Sequence, residues 1–122
     1  MTGIKTSPQI NISVAIDTSN DNYQYFDENG QPCKGGATVT VPNTLLVYSL
    51  IANNNTLEFQ LPVITADNTD DITVSISPCK QTLTIIDSDL TNEDICLRLI
   101  VKELASDQTF ESSDPQIKNV PR

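Results

Sequence analysis

The residues best suited to chemistry in this sequence are its acids, 16 Asp and Glu against 7 Lys and Arg, many of them set among Asn, Ser and Thr. Two segments concentrate them: Asp17-Thr-Ser-Asn-Asp-Asn22 and Ala66-Asp-Asn-Thr-Asp-Asp71. Loops this rich in oxygen can hold Ca²⁺, which takes about six to eight oxygen ligands and tolerates irregular geometry. Asp17, Asp21, Asp67, Asp70 and Asp71 are therefore the candidate calcium ligands. Neither segment has the spacing of a defined calcium loop. Asn and Asp also favour turns through local hydrogen bonds to their own backbone, so solvated turns are the plainer reading.

Other chemistries are short of parts. The chain has no histidine, which removes the commonest general base and metal ligand and every serine or cysteine triad built on one. Gly35-Gly36 lacks the flanking pattern and the receiving helix of a phosphate loop. No lysine stands in a recognisable motif for lysine-assisted serine chemistry. A paired-carboxylate glycosidase remains formally open because acids are plentiful, but the chain has no tryptophan to stack sugar rings. Three cysteines, Cys33, Cys79 and Cys96, make a poor zinc set without histidine, and Cys96 reads as a small apolar packing residue.

The elements that would position these groups are short, β-branched and alternating. Ile10, Ile12, Val14 and Ile16 point one way, against Asn11, Ser13 and Asp17. Tyr23 to Phe26 reads as a brief second strand, and Ala37 to Val41 as a third with Val39 and Val41 inward. Pro42-Asn43 marks a bend before Leu45 to Ile51, which is apolar on both faces and so reads as covered twice or as a central strand. Leu57 to Leu61, Ile72 to Ile76, Leu83 to Ile86 and Ile95 to Glu103 complete the set, while Ser88 to Asp94 has room for one helical turn. About seven to eight strands at a spacing of roughly 8 to 12 residues predict an all-β fold, an antiparallel immunoglobulin-like β-sandwich, with a small barrel as the alternative.

Strict alternation of strand direction would gather the loops after the first, fifth and seventh strands at one pole. Nine carboxylates would meet there: Asp17, Asp21, Asp67, Asp70, Asp71, Asp87, Asp89, Glu93 and Asp94. The first loop changes ends if Tyr23 to Phe26 is not a strand. The same parity puts Cys33 and Cys79 at one end, where a pair is geometrically conceivable, although thiols in a reducing compartment stay free.

Residues 1–104 read as the sandwich domain and 105–122 as a polar, proline-containing C-terminal arm. Pro115 and Pro121 interrupt pairing there, leaving either an extended arm anchored by Ile117 or Val120 or a frayed tail. Asp114-Pro-Gln-Ile117 and Asn119-Val-Pro-Arg122, after a body opening with Ile10-Asn-Ile-Ser-Val-Ala-Ile-Asp17, resemble the DP-EP family of small bacterial proteins. Val120 stands where the family name leads one to expect glutamate before the second proline. The resemblance implies a β-sandwich and carries no activity, ligand or catalytic residue with it.

A net charge of −9 repels nucleic-acid phosphates and anionic lipid. Met1 to Gln9 holds no apolar run, and no stretch approaches the roughly 20 apolar residues of a membrane span. The expectation is a cytoplasmic, non-catalytic binding or assembly module, engaging a protein partner or itself as a homo-oligomer, with no nucleic-acid or membrane partner and no resident cofactor. The alternative is a Ca-dependent binding domain using the acidic loops, and after it a carboxylate-based enzyme.

Overall fold

Period-two alternation in the first apolar run makes a strand whose Ile12 and Val14 are buried while Asn11 and Ser13 face outward, and the same pattern recurs along the chain. The computed structural model describes residues 9–20, 22–51, 56–65, 72–88, 93–112 and 116–119. Eleven strands lie among them: β1 Gln9–Asp17, β2 Asn22–Phe26, β3 Pro32–Cys33, β4 Ala37–Val39, β5 Thr44–Leu50, β6 Leu57–Thr65, β7 Ile72–Ile76, β8 Thr82–Asp87, β9 Glu93–Glu103, β10 Thr109–Glu111 and β11 Gln116–Asn119. Among the described residues no helix is long and apolar enough to cross a membrane.

The strands form two sheets, and both are mixed. The first has the order β3-β2-β1-β5-β8-β7. The second is built on β9, with β6 along one side, β10 and β11 sharing the other, and β4 beyond β11. The expectation of a purely antiparallel arrangement is corrected by two pairs, since β1 runs parallel to β5 and β11 runs parallel to β4. The count of strands also rises above seven to eight, because β3, β10 and β11 are too short or too polar to stand out by alternation.

Side chains from both sheets meet in one core that includes Ile12, Val14, Leu46, Tyr48, Phe59, Leu83, Ile85, Leu97, Leu99 and Val101. Each buried aliphatic side chain contributes on the order of 1.5 to 3 kcal/mol relative to exposure, so this layer supplies most of the drive to fold. Val41, expected to point inward, is instead 44% exposed. The strand has ended at Val39, and Asn43 takes a left-handed φ of 61° in the turn that Thr44 closes by donating its hydroxyl to the Val41 carbonyl at 2.7 Å. β6 runs on past Pro62, where a register shift between Gln60 and Val63 leaves Leu61 71% exposed. That bulge and its proline blunt the edge strand against unwanted pairing.

Residues 109–111 and 116–119, within the segment read as an arm, are strands of the second sheet, and Ile117 is fully buried. Its pairing with Ile95 on one side and Ala37 on the other makes β11 an interior strand. Val120 lies outside the described residues. Of the helical turn allowed for between Ser88 and Asp94, Glu93 and Asp94 belong to β9, and residues 89–92 lie outside the description.

Ile117→Ala should cost about 2 to 4 kcal/mol, the loss for a fully buried isoleucine, measured by urea unfolding. A cost under about 0.5 kcal/mol would contradict an interior β11.

Candidate functional site

Direction of travel decides which acids can meet. β1 and β5 run the same way, β8 runs against β5, and Asp87 pairs with Thr44 where β5 begins. Asp17 stands at the opposite end, where β1 finishes beyond the level of Leu50. Asp94 opens β9, whose far end at Glu103 pairs with Leu57, and Leu57 is tied to the β7–β8 turn through its carbonyl, which accepts from Gln81 Nε2 at 2.6 Å. Asp94 and Asp87 therefore share the pole opposite Asp17. This corrects the expected nine-carboxylate pole. The two-residue strand β3 adds one reversal between β2 and β4, enough to move the first loop to the other end.

Of the five candidate calcium ligands, Asp21, Asp67, Asp70 and Asp71 lie outside the described residues. Asp17 is exposed, and both of its carboxylate oxygens are engaged within its own turn. Oδ1 accepts from the Ser19 backbone N–H at 3.0 Å and Oδ2 accepts from Asn20 Nδ2 at 2.7 Å. The Asn20 side chain, followed by the Ser19 amide, holds the carboxyl below its usual value. Asp27 is used in the same way, its Oδ1 accepting from the N–H groups of Asn29 and Gln31 at 2.9 Å in the turn after β2. Among the described residues no group of three or more Cys, Asp or Glu gathers around a common point.

The cysteines are separated by the sheet. Cys33 lies on β3 at one edge of the first sheet, and Cys79 lies in the turn between β7 and β8 at the other. At about 4.8 Å per strand spacing they are roughly 20 Å apart, which corrects the expectation that the two could pair. All three thiols are free. Cys79 is fully exposed, and its thiol is drawn below the usual value, first by the Ser77 hydroxyl at 3.4 Å and then by the Gln81 backbone. Cys96 is half-buried on the outer face of β9, beside the row that carries Arg98.

Sequence reasoning passed over the tyrosines and Ser112, which do most of the polar work of the interior. Tyr23 reaches from β2 across to the other sheet and donates to the Phe110 carbonyl at 2.6 Å, with the Leu99 carbonyl at 3.3 Å. Tyr48, fully buried, donates to the Gly35 carbonyl at 2.7 Å. Gly35 has φ +82° and lies against the face of the Tyr25 ring, where a Cβ would stand 2.7 Å from the nearest ring carbon. Only glycine fits there. Burial raises the Tyr48 hydroxyl far above its ordinary value, with Tyr25 and Cys33 adding to the shift. Tyr25 is pushed up to about 12, chiefly by burial, with Ser112 opposing and Cys33 adding. Its hydroxyl is buried near Ser112 yet outside hydrogen-bonding geometry. The signal that could have found this set was the Tyr-x-Tyr spacing at 23 and 25, which puts both rings on the inward face of one short strand.

Beside this cluster a shallow cleft of about 250 Å³ is lined by Tyr23, Gln24, Tyr25, Phe26, Pro32 and Cys33. It falls below the usual range of about 300 to 1,000 Å³ for a small-molecule site.

Fold and side chains together define a small acidic all-β protein of two mixed sheets, braced by tyrosines and closed by acidic turns. The chain belongs to the DP-EP family, whose family model matches residues 8–121, nearly its whole length. No curated protein matches it. Among solved structures it is similar to the inclusion body protein PixA from Burkholderia cenocepacia J2315, at 9% identity and a TM-score of 0.41, with 97% of this chain and 96% of that one covered.

Two outcomes check the site. Tyr48→Phe should lose about 1 to 3 kcal/mol in denaturant unfolding, since it strands a buried carbonyl, whereas Tyr25→Phe, which removes an unpartnered hydroxyl, should be neutral or stabilising. Asp17→Asn should be less stable than the parent at neutral pH. The folded carboxyl binds its proton less tightly than the usual 3.8, so its contribution is complete above that value and fades as pH falls through the lower folded one. The two proteins should converge in acid, and a gap that stays constant with pH would contradict the turn geometry.

Proposed function

We propose that this protein is a non-catalytic binding or assembly module of a bacterial cell, acting in the cytoplasm through a protein partner or through further copies of itself. We read its two sheets as an immunoglobulin-like sandwich, a scaffold that offers faces and edges for contact. The observation that carries this reading is where its reactive-looking side chains point. Tyr23, Tyr48 and Ser112 hydrogen-bond backbone groups of the interior, and Asp17 and Asp27 hydrogen-bond their own turns, so each serves to hold the fold. Such groups act as braces, and an enzyme would need them aimed into a cleft at a substrate. The net charge of −9 disfavours phosphate-rich and anionic-lipid partners alike.

Thermal unfolding with millimolar Ca²⁺ and, separately, Mg²⁺ tests this reading against the calcium-dependent one. The expected outcome is the same midpoint in both to within about a degree. A rise of several degrees with Ca²⁺ alone would transfer the function to the acidic loops that carry Asp17, Asp21, Asp67, Asp70 and Asp71.

A further inference from the structure

In the turn between β2 and β3 a single residue takes up three consecutive backbone amides. Asp27 Oδ1 accepts from the N–H groups of Asn29 and Gln31 at 2.9 Å, and the Asp27 carbonyl accepts from the Gly30 N–H at 3.0 Å. The Asp27 N–H donates in turn to the Gln31 carbonyl at 2.9 Å. Of the loop residues between them only Gly30 is left-handed, at φ 77°, so Glu28 and Asn29 form the centre of a type I turn closed by a glycine bulge. This places the chain's one Asn-Gly pair at an exposed tip.

Asn-Gly is thermally labile, because glycine has no Cβ to keep its nitrogen away from the neighbouring carboxamide carbon. Around Gly30 nothing lies within 4 Å of where a Cβ would stand, and among the described residues no hydrogen bond holds the Asn29 carboxamide. The turn itself opposes the reaction. At the third position of a type I turn Asn29 has ψ of about 0°, whereas ring closure needs its Cβ eclipsed with the Gly30 nitrogen, a rotation of roughly 120°. That rotation breaks the Gly30–Asp27 hydrogen bond, so the turn must open first. Opening is local, since β3 pairs with β2 through two residues at the edge of the sheet.

We propose that Asn29-Gly30 is a site of spontaneous deamidation in the folded protein, gated by the hold of Asp27 on the turn. Hydroxide takes the Gly30 amide proton and the nitrogen attacks Asn29 Cγ. The Cγ–Nδ2 bond breaks, and ammonia leaves with a proton from water. Water then opens the succinimide, adding OH to one carbonyl carbon and H to the ring nitrogen. Opening at Cγ leaves aspartate, and opening at the main-chain carbonyl leaves isoaspartate, with one extra carbon in the backbone. Either product adds one negative charge to a chain already at −9. Isoaspartate also moves Gly30 and Gln31 out of reach of Asp27, which loosens β3 and the Gly35 segment that follows it against Tyr25.

The test is peptide mapping by mass spectrometry after incubation of the full chain in mildly alkaline buffer, beside the same chain in concentrated urea. In the folded parent, Asn29 should convert before any other asparagine, more slowly than in urea. Asp27→Ala should speed conversion about tenfold or more, because the turn loses two hydrogen bonds to a charged acceptor. Asp27→Asn keeps an acceptor oxygen without the charge and should fall between, and circular dichroism checks that both variants fold. Asn29→Gln should leave that peptide unmodified. A folded parent that converts elsewhere first, or stays intact at Asn29 while the urea sample converts, would overturn the site. Equal rates in parent, Asp27→Ala and urea would overturn the gate.

Discussion

The peptide group of Leu99 sets a condition that much of this structure meets. β9 is flanked on one side by two strands, β10 ending opposite Ile100 and β11 beginning opposite Cys96, so the ladder breaks between them. A buried peptide left unpaired there would cost a few kcal/mol. Ser112 fills the break: its backbone N–H donates to the Leu99 carbonyl at 2.9 Å, and its hydroxyl accepts from the Leu99 N–H at 2.8 Å. The Tyr23 hydroxyl adds a donor from the opposite sheet. A local defect in one sheet thus becomes the polar fastening between both, and it fixes their relative position in a core that is otherwise non-directional.

The acids follow a similar economy of use. Asp17 and Asp27 close turns through their own carboxylates, and Glu58, Glu111 and Asp107 stand near Lys80, Arg98 and Lys102 in exposed pairs that add little stability singly. Among the described residues these acids stand at turns or on the outer face of the second sheet, whereas Asp87 is fully buried at the end of β8.

The long strands were legible because period-two alternation is imposed by the pleat itself: Ile10 to Ile16, Ile72 to Ile76 and Ile95 to Val101 fall where the pattern puts them. Strand direction was not, since alternation reads the same for parallel and antiparallel neighbours, and nothing in Leu45 to Leu50 announces β1 as a parallel partner. The error over Asp17 came from two residues, Pro32 and Cys33, too few to show a period yet enough to reverse the chain once more. β11 escaped because Pro115 and the surrounding polar residues argue against pairing, although Ile117 had been singled out as an anchor. The tyrosine braces were illegible for a different reason, as their acceptors are carbonyls 76 to 87 positions away in sequence for Tyr23.

β11 separates β4 from β9, and Lys118 pairs with Thr38, eighty positions earlier. On a ribosome β4 emerges early and must wait for almost the whole remainder of the domain before it has a neighbour to bond. Contacts of such sequence separation are slow to form, because the intervening loop must be closed before any bond rewards it. During synthesis the first half of the molecule therefore carries an unfinished sheet margin, and its escape from mispairing depends on how soon the final strand arrives.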